Sequence, residues 1–273
     1  MNLGILLTAT VKPNVKGGNF SVDERMEMYA STLRYYSREI GKDYPIILVE
    51  NSDADLDALR LEFKDTLNLT IFQFRPDNPQ SYEGFDPSKG KGYNEYLMVK
   101  KAINYTPNTL LTSNLTHFIK ITGRYPMLNI RSIIREIGRR AEKKGILYMG
   151  DIKDTCVYKL IGRDTLSSHW GDSRFFMADI NFYRDNLADC YLEMNDYEEG
   201  RWAEHYFLNL SRKHRKDPRF IFRFRTQVRF GGISGTLSSS QYRSGTRGYD
   251  SLPNRIKANI RQFLRILFPN IWF

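Results

Sequence analysis

The first half of the chain alternates two kinds of segment, and that alternation restricts the fold more than any other feature. Short apolar runs appear at LGILLTATV (3–11), PIILVEN (45–51), LTIFQF (69–74) and HFIKITG (117–123). Between them lie stretches with helical spacing. Ser21 and Glu24 form a capping-box pattern, after which Val22, Met26, Tyr29, Ala30, Leu33 and Tyr36 recur on one helical face. Residues 54–64 read as a second helix, with Leu56, Leu59 and Phe63 on one side, and 93–103 and 130–143 as further ones. GILYMGD (145–151) adds a strand. Strands separated by helices predict an α/β protein with a mostly parallel central sheet.

The second half is less regular and predicts a mixed region that completes a site. RFFMADINFY (174–183) reads as a strand that turns a corner, and 185–194 and 199–213 as helices. FIFRFRTQVRF (220–230) alternates strictly, with Phe220, Phe222, Phe224 and Thr226 on one side and Arg223 and Arg225 on the other. That pattern predicts a half-exposed strand with a basic outer face. The expected organisation is one domain over 1–230, with a nucleotide-binding half (1–125) and an acceptor-side half (126–230). A basic, mobile linker follows at 231–252 and an amphipathic helix at 253–273.

Charge is unevenly distributed. Residues 201–273 carry 15 Lys and Arg against 3 Asp and Glu, leaving 26 against 28 in residues 1–200. Such asymmetry points to a polyanion or an anionic membrane surface as partner. In PNRIKANIRQFLRILFPNIWF, Ile256, Ile260, Phe263, Leu264 and Leu267 fall on one stripe. Arg255 precedes it, Lys257, Arg261 and Arg265 line an adjoining face, and Trp272 and Phe273 follow. This pattern suits an anionic bilayer surface, and removing the helix is expected to leave the fold intact. The N-terminal apolar run is short and lacks a basic leader, so it reads as a first strand and not as a signal peptide. No run of 18 apolar residues occurs. Cys156 and Cys190 could pair, but two cysteines make no disulfide framework, and a reducing cytosol is expected. No His or Cys spacing suits zinc.

In open α/β sheets ligands bind beyond the carboxyl ends of the strands. Here those ends present Thr8, Thr10 and Lys12; Glu50, Asn51 and Ser52; Phe74 and Arg75; and Lys120, Thr122, Gly123 and Arg124. The set suits a nucleotide, with acid and amide groups on base or ribose and cations on phosphates. No GxGxxG or GxxxxGK[ST] occurs. Lys89-Gly90-Lys91-Gly92 opens a helix and offers backbone N–H groups and cations to an anion. Asp53-Ala54-Asp55 follows the second strand, where short acids cap a helix N-terminus.

The succession of ILVENS, KGKGYNEYLMVKKAI, FIKITGRY, GDSRFF and EEGRWAEHYF resembles a GT-A-type glycosyltransferase of the kind found in bacterial capsule and O-antigen clusters. The resemblance covers residues 1–210 and is strongest at KITGRY and DSRFF. It implies a GT-A-like, Rossmann-related sheet and a nucleotide-sugar donor. The acceptor would be a lipid-linked or growing surface glycan, met by a cytoplasmic protein peripheral on the inner face of the cell membrane. In most such enzymes the fourth strand ends in an Asp-x-Asp that holds a divalent metal. Here that place reads Lys120-Ile121-Thr122-Gly123-Arg124, so no metal requirement is expected. Fixed cations can stabilise a departing diphosphate instead. Lys120 and Thr122 share a strand face, Gly123 lets the backbone approach a ligand, and Arg124 can grip phosphate in a fork. Lys91, Asn94 and Arg174 complete the expected donor-binding set.

Inverting transfer needs a base for the acceptor hydroxyl, and Asp172, Glu204 and Glu199 are the candidates. Glu204 borders the apolar face of Ala203, Phe207 and Leu210, so burial would raise its pKa toward that of a useful base. Glu199 stands where the resemblance implies a catalytic acid, and His205 is a further candidate base. Two other readings stand beside this one. One is a nucleic-acid-binding protein using the basic C-terminal quarter. It lacks a readout motif, and its cations accompany an apolar stripe, so no nucleic-acid partner is expected. The other is a non-catalytic, membrane-peripheral assembly protein.

Overall fold

The computed structural model describes residues 1–13, 20–105, 115–154, 162, 169–232 and 252–268. Among these, seven strands form one sheet: β1 (Leu3–Ala9), β2 (Pro45–Glu50), β3 (Asn68–Gln73), β4 (His117–Thr122), β5 (Tyr148–Met149), β8 (Phe175–Asp179) and β9 (Phe220–Ile221), in the order β3-β2-β1-β4-β8-β5-β9. Every pairing is parallel except those of β8, which runs antiparallel to both β4 and β5. β6 (Ile152–Lys153) and β7 (Trp170–Gly171) form a separate antiparallel pair. The α/β class and the mostly parallel sheet are therefore as the sequence predicts.

The helices are α1 (Val22–Glu39), α2 (Asp57–Phe63), α3 (Pro79–Tyr82), α4 (Gly90–Tyr105), α5 (Ile130–Lys144), α6 (Ile180–Asn186), α7 (Ala203–Lys213) and α8 (Leu252–Leu267). Alternation along the strands sends their side chains into two apolar layers. Ile5, Leu7, Ile46, Leu48, Ile119 and Ile121 pack with α1, α2 and α5 on one face. Leu6, Ile47, Val49 and Phe118 pack with α4, α6 and α7 on the other. The capping box that predicts α1 is present, with Glu24 N donating to Ser21 Oγ and Ser21 N donating to Glu24 Oε2. Asp55 receives the Asp57 N–H at the start of α2, whereas Asp53 pairs with Lys12 at 3.1 Å.

Three expectations are corrected. Residues 174–183 do not continue as one bent strand; β8 ends at Asp179, whose carboxylate accepts from Phe182 N and starts α6. FIFRFRTQVRF pairs as a strand only at Phe220–Ile221. Beyond that, the amides of Arg225 and Thr226 donate to the Glu136 carboxylate of α5, and Gln227 N donates to Gln262 of α8. Side chains have taken the ladder partners at 225–227, and backbone pairing resumes only as an isolated antiparallel bridge between Phe230 and Met127. The third correction concerns Arg265, expected on a basic face turned toward an anionic bilayer surface. It is 5 % exposed and forms a bidentate pair with Asp151 at 2.7 and 3.1 Å.

That pair is part of an inverted docking. The polar side of α8 holds the body: Arg229 donates to Asn259, Gln262 bonds the 225–227 backbone, and Arg265 reaches Asp151 and the Phe224 carbonyl. Its apolar side, with Ile256, Ile260, Phe263 and Leu267, is exposed. Arg255 and Lys257 are exposed and Arg261 is half-buried. Trp272, Cys156 and most of the 231–252 linker lie outside the described residues.

Candidate functional site

The sheet order reverses direction about β1, with β2 on one side and β4 on the other. Beyond the carboxyl ends of β1 and β4, and under the opening turn of α4, lies a cleft. Thr8, Thr10, Lys12, Asn51, Lys91, Asn94, Thr122 and Arg124 all line it. Glu50, Lys120, Gly123 and Arg174 do not.

The reasons for these four are physical. Glu50 is fully buried, and its carboxylate accepts from Val11 N, Ser52 N, the Ser52 hydroxyl and Gln73 Nε2. It ties the β1 and β2 ends together. Lys120 is also fully buried. Its Nζ lies 2.8 Å from Glu95 Oε1, donates to the Ser173 carbonyl at 2.8 Å, and sits 5.0 Å from the Tyr96 ring centroid. Gly123 serves strand packing: its N–H donates to the Thr8 carbonyl, and a Cβ there would lie 2.8 Å from that same oxygen. Arg174 grips Asp172, with Nε 2.8 Å from Oδ1, and lies 4.6 Å from the centre of the Phe230 ring.

The glycines of Lys89-Gly90-Lys91-Gly92 also have an internal explanation. Asp196 accepts from Lys91 N at 2.6 Å and from Gly92 N at 3.2 Å, so the N-terminus of α4 already holds an anion from its own chain. Gly90 has φ +86°, and a Cβ on it would lie 2.5 Å from Asp196 Cβ.

Two cleft residues escape the sequence reading. Arg25, in the first turn of α1, is 4 % exposed and donates from Nη1 to the Thr10 carbonyl. Glu95, in the first turns of α4, is the single carboxylate among the cleft-lining residues. Its Oε1 accepts from Thr8 Oγ1 at 2.5 Å and Thr122 Oγ1 at 2.8 Å as well as from Lys120. Burial opposes ionisation of Glu95, but the Lys120 ammonium and the two hydroxyls win and hold its carboxyl below the usual range. Signals for both existed: Arg25 is a cation four residues before Tyr29 on a buried helix face, and Glu95 adjoins the buried Tyr96.

Three cations therefore face the cleft without carboxylates of their own. Burial lowers the pKa of Arg25 and of Lys91, and the Arg124 charge lowers both further. The Nε atoms of Arg25 and Arg124 are shielded from solvent and have no hydrogen-bond partner. The mutual repulsion is relieved by an anion in the cleft. One carboxylate among Lys12, Arg25, Lys91 and Arg124 is a poor ligand set for a divalent cation, and among the described residues no three His, Cys, Asp or Glu side chains are grouped as metal ligands.

The candidate acids stand outside the cleft lining. Glu199 is exposed. Asp172 is engaged by Arg174. Glu204 accepts from Ser173 Oγ at 2.7 Å, and Ser173 is the residue whose carbonyl receives Lys120. Burial raises the Glu204 pKa above its ordinary 4.5, and the Asp172 and Asp196 charges add to this. The folded protein thus binds this proton more tightly than the unfolded chain does. Stability falls as pH rises from 4.5 through the raised pKa, and the full penalty applies above it. Glu204→Gln keeps an acceptor for Ser173 and removes the penalty. Thermal melts should show the variant more stable at pH 7, with the difference closing below pH 4.5; a gap of the same size at both ends would contradict it.

No protein-family profile matches the chain, and no curated protein matches it in sequence. Several solved structures resemble it in shape. Mouse xyloside xylosyltransferase 1, in its apo form, shares 10 % identity with a TM-score of 0.43, over 81 % of this chain and 84 % of that one. A cytidylyltransferase from Leptospira borgpetersenii shares 12 % identity with a TM-score of 0.40, over 81 % and 75 %. Residues 1–349 of S. aureus TarS share 12 % identity with a TM-score of 0.39, over 77 % of this chain and 54 % of that one. No residue role passes from these proteins to this chain.

Proposed function

We propose that the protein is a glycosyltransferase that binds a nucleotide-sugar donor in the cleft beyond β1 and β4. The observation that carries this reading is the convergence of Arg25, Lys91 and Arg124 on a cleft whose one carboxylate is already engaged by Lys120. The three cations hold the diphosphate and stabilise the charge that develops as the glycosidic bond to it breaks. Charge is supplied by fixed side chains, so no metal is needed for that step. The donors to Glu95 all converge on Oε1, which leaves Oε2 to accept a donor hydroxyl. Asn51 and Thr10 stand nearby for base or ribose. Glu204 is the proposed base toward the acceptor hydroxyl, favoured over Asp172 because Asp172 is committed to Arg174.

The resemblance at KITGRY and DSRFF supports a glycan acceptor, and we extend it to a lipid-linked or growing surface polysaccharide of the capsule or O-antigen kind. The exposed apolar face of α8, bordered by Arg255 and Lys257, supports a position on an anionic inner-membrane surface. Calorimetry with a panel of nucleoside diphosphates and nucleotide sugars, with and without a chelator, tests the donor site. One nucleotide is expected to bind with unchanged affinity in chelator. Binding of none, or binding only when a divalent metal is added, would overturn the proposal.

A further inference from the structure

A second basic concavity lies away from the donor cleft. It runs along the end of α7, the turn at 214–219 and the segment 220–225, and Arg265 of α8 forms part of its wall. Both acids that line it are already paired, Asp154 with Arg212 and Asp217 with Arg219. Arg140 is paired with Glu136. Arg215, Lys216 and Arg225 also line it, and no acidic partner stands within ion-pair distance of them among the described residues. The groove therefore carries an uncompensated positive charge. Its neighbour is unusual as well: α8 docks by its polar side and turns Ile256, Ile260, Phe263 and Leu267 outward, a continuous apolar face and not scattered exposure.

An apolar stripe beside a cluster of free cations has the layering of a bilayer surface, with acyl chains below and phosphates at the rim. We propose that this groove seats the phosphate of an anionic lipid while the apolar face of α8 lies in the same leaflet. The proposal rests on the membrane reading of α8 given above and adds a headgroup site to it. The cations supply selectivity for anionic lipid, and the helix supplies partition that does not depend on charge. Arg265 belongs to neither role, because its charge is already matched by Asp151.

The test is co-sedimentation of the full chain with vesicles of phosphatidylcholine alone and with one third phosphatidylglycerol. The triple variant Arg215→Gln/Lys216→Gln/Arg225→Gln removes three cations, each worth roughly fivefold near an anionic surface. It should lose about a hundredfold in partition to the anionic vesicles, keep its binding to neutral ones, and keep nucleotide binding. Wild-type partition to anionic vesicles should also fall steeply with salt. Ile256→Gln/Ile260→Gln/Phe263→Gln should weaken binding to both vesicle types. If that variant binds as before while the groove variant does not, the α8 reading fails and the headgroup site stands. Unchanged anionic partition in the groove variant overturns the proposal. So does groove-dependent binding of glycerol phosphate as tight as that of the lipid, which would mark a soluble anion as the ligand. Groove-dependent binding of a short RNA without vesicle binding overturns it in favour of nucleic acid. Loss of nucleotide binding in wild type would count against the donor cleft and leave this site untouched.

Discussion

Alanine at Arg124 is expected to weaken nucleoside diphosphate binding by roughly 10- to 150-fold, or ~1.5–3 kcal/mol, the range for a hydrogen bond to a charged group. Part of the argument is the state of the guanidinium before any ligand arrives. The guanidinium lines the cleft with Arg25 and Lys91 and has no carboxylate paired to it among the described residues, so an anion brings the countercharge that this cluster lacks. Arg25 is in the same condition, and the two repel each other. Arg25→Ala should therefore lose affinity in the same range. Arg124→Lys should fall between wild type and alanine, because it keeps the charge and loses the fork. Lys120→Met acts differently: it leaves the Glu95 carboxylate without its cation and should lower the melting temperature. Calorimetry on variants shown to be folded decides the matter. Wild-type affinity in both Arg25→Ala and Arg124→Ala would remove the diphosphate from this cleft.

Arg265→Ala is expected to destabilise the fold by about 3–5 kcal/mol, the cost of leaving one member of a buried ion pair alone. Asp151 and Arg265 are each about 5 % exposed, and the guanidinium also caps the Phe224 carbonyl. Its removal strands both acceptors. Deleting 252–268 removes the same group together with Gln262 and Asn259, so the truncated chain is expected to be destabilised at least as much. The double variant Asp151→Leu/Arg265→Met should recover most of the loss, since no lone charge remains. Denaturant melts give the comparison. If Arg265→Ala matches wild type, or the double variant is no better than the single, the pair does not hold the helix.

The first half of the fold was legible because its signals are local and agree with one another. A strand of Ile, Leu and Val, a capping box and a helical stripe each fix their segment without help from distant residues. The 220–230 segment shows the limit. Its alternation is genuine, since Phe224 is buried and Arg225 exposed, but a strand also needs a partner, and Glu136 and Gln262 supply side-chain acceptors in its place. The cleft divides in the same way. Position on a strand end located Thr8, Asn51, Thr122 and Arg124. It could not separate Lys120 from Arg124, because only the third dimension shows Glu95 beneath one of them. Arg265 carried the pattern of a membrane-facing basic helix face, and its partner is 114 residues away.

Asp196 has a consequence for how this cleft can change. Where an anion rests on the amides at the start of a helix, the recognising groups are the same for every residue but proline, and few substitutions delete them. Here the chain's own carboxylate fills that position at α4, so an incoming anion meets exchangeable side chains instead. Each cation of the cleft can be lost, gained or shortened in one mutational step. Ligand preference at such a site can drift between related chains faster than the fold that carries it.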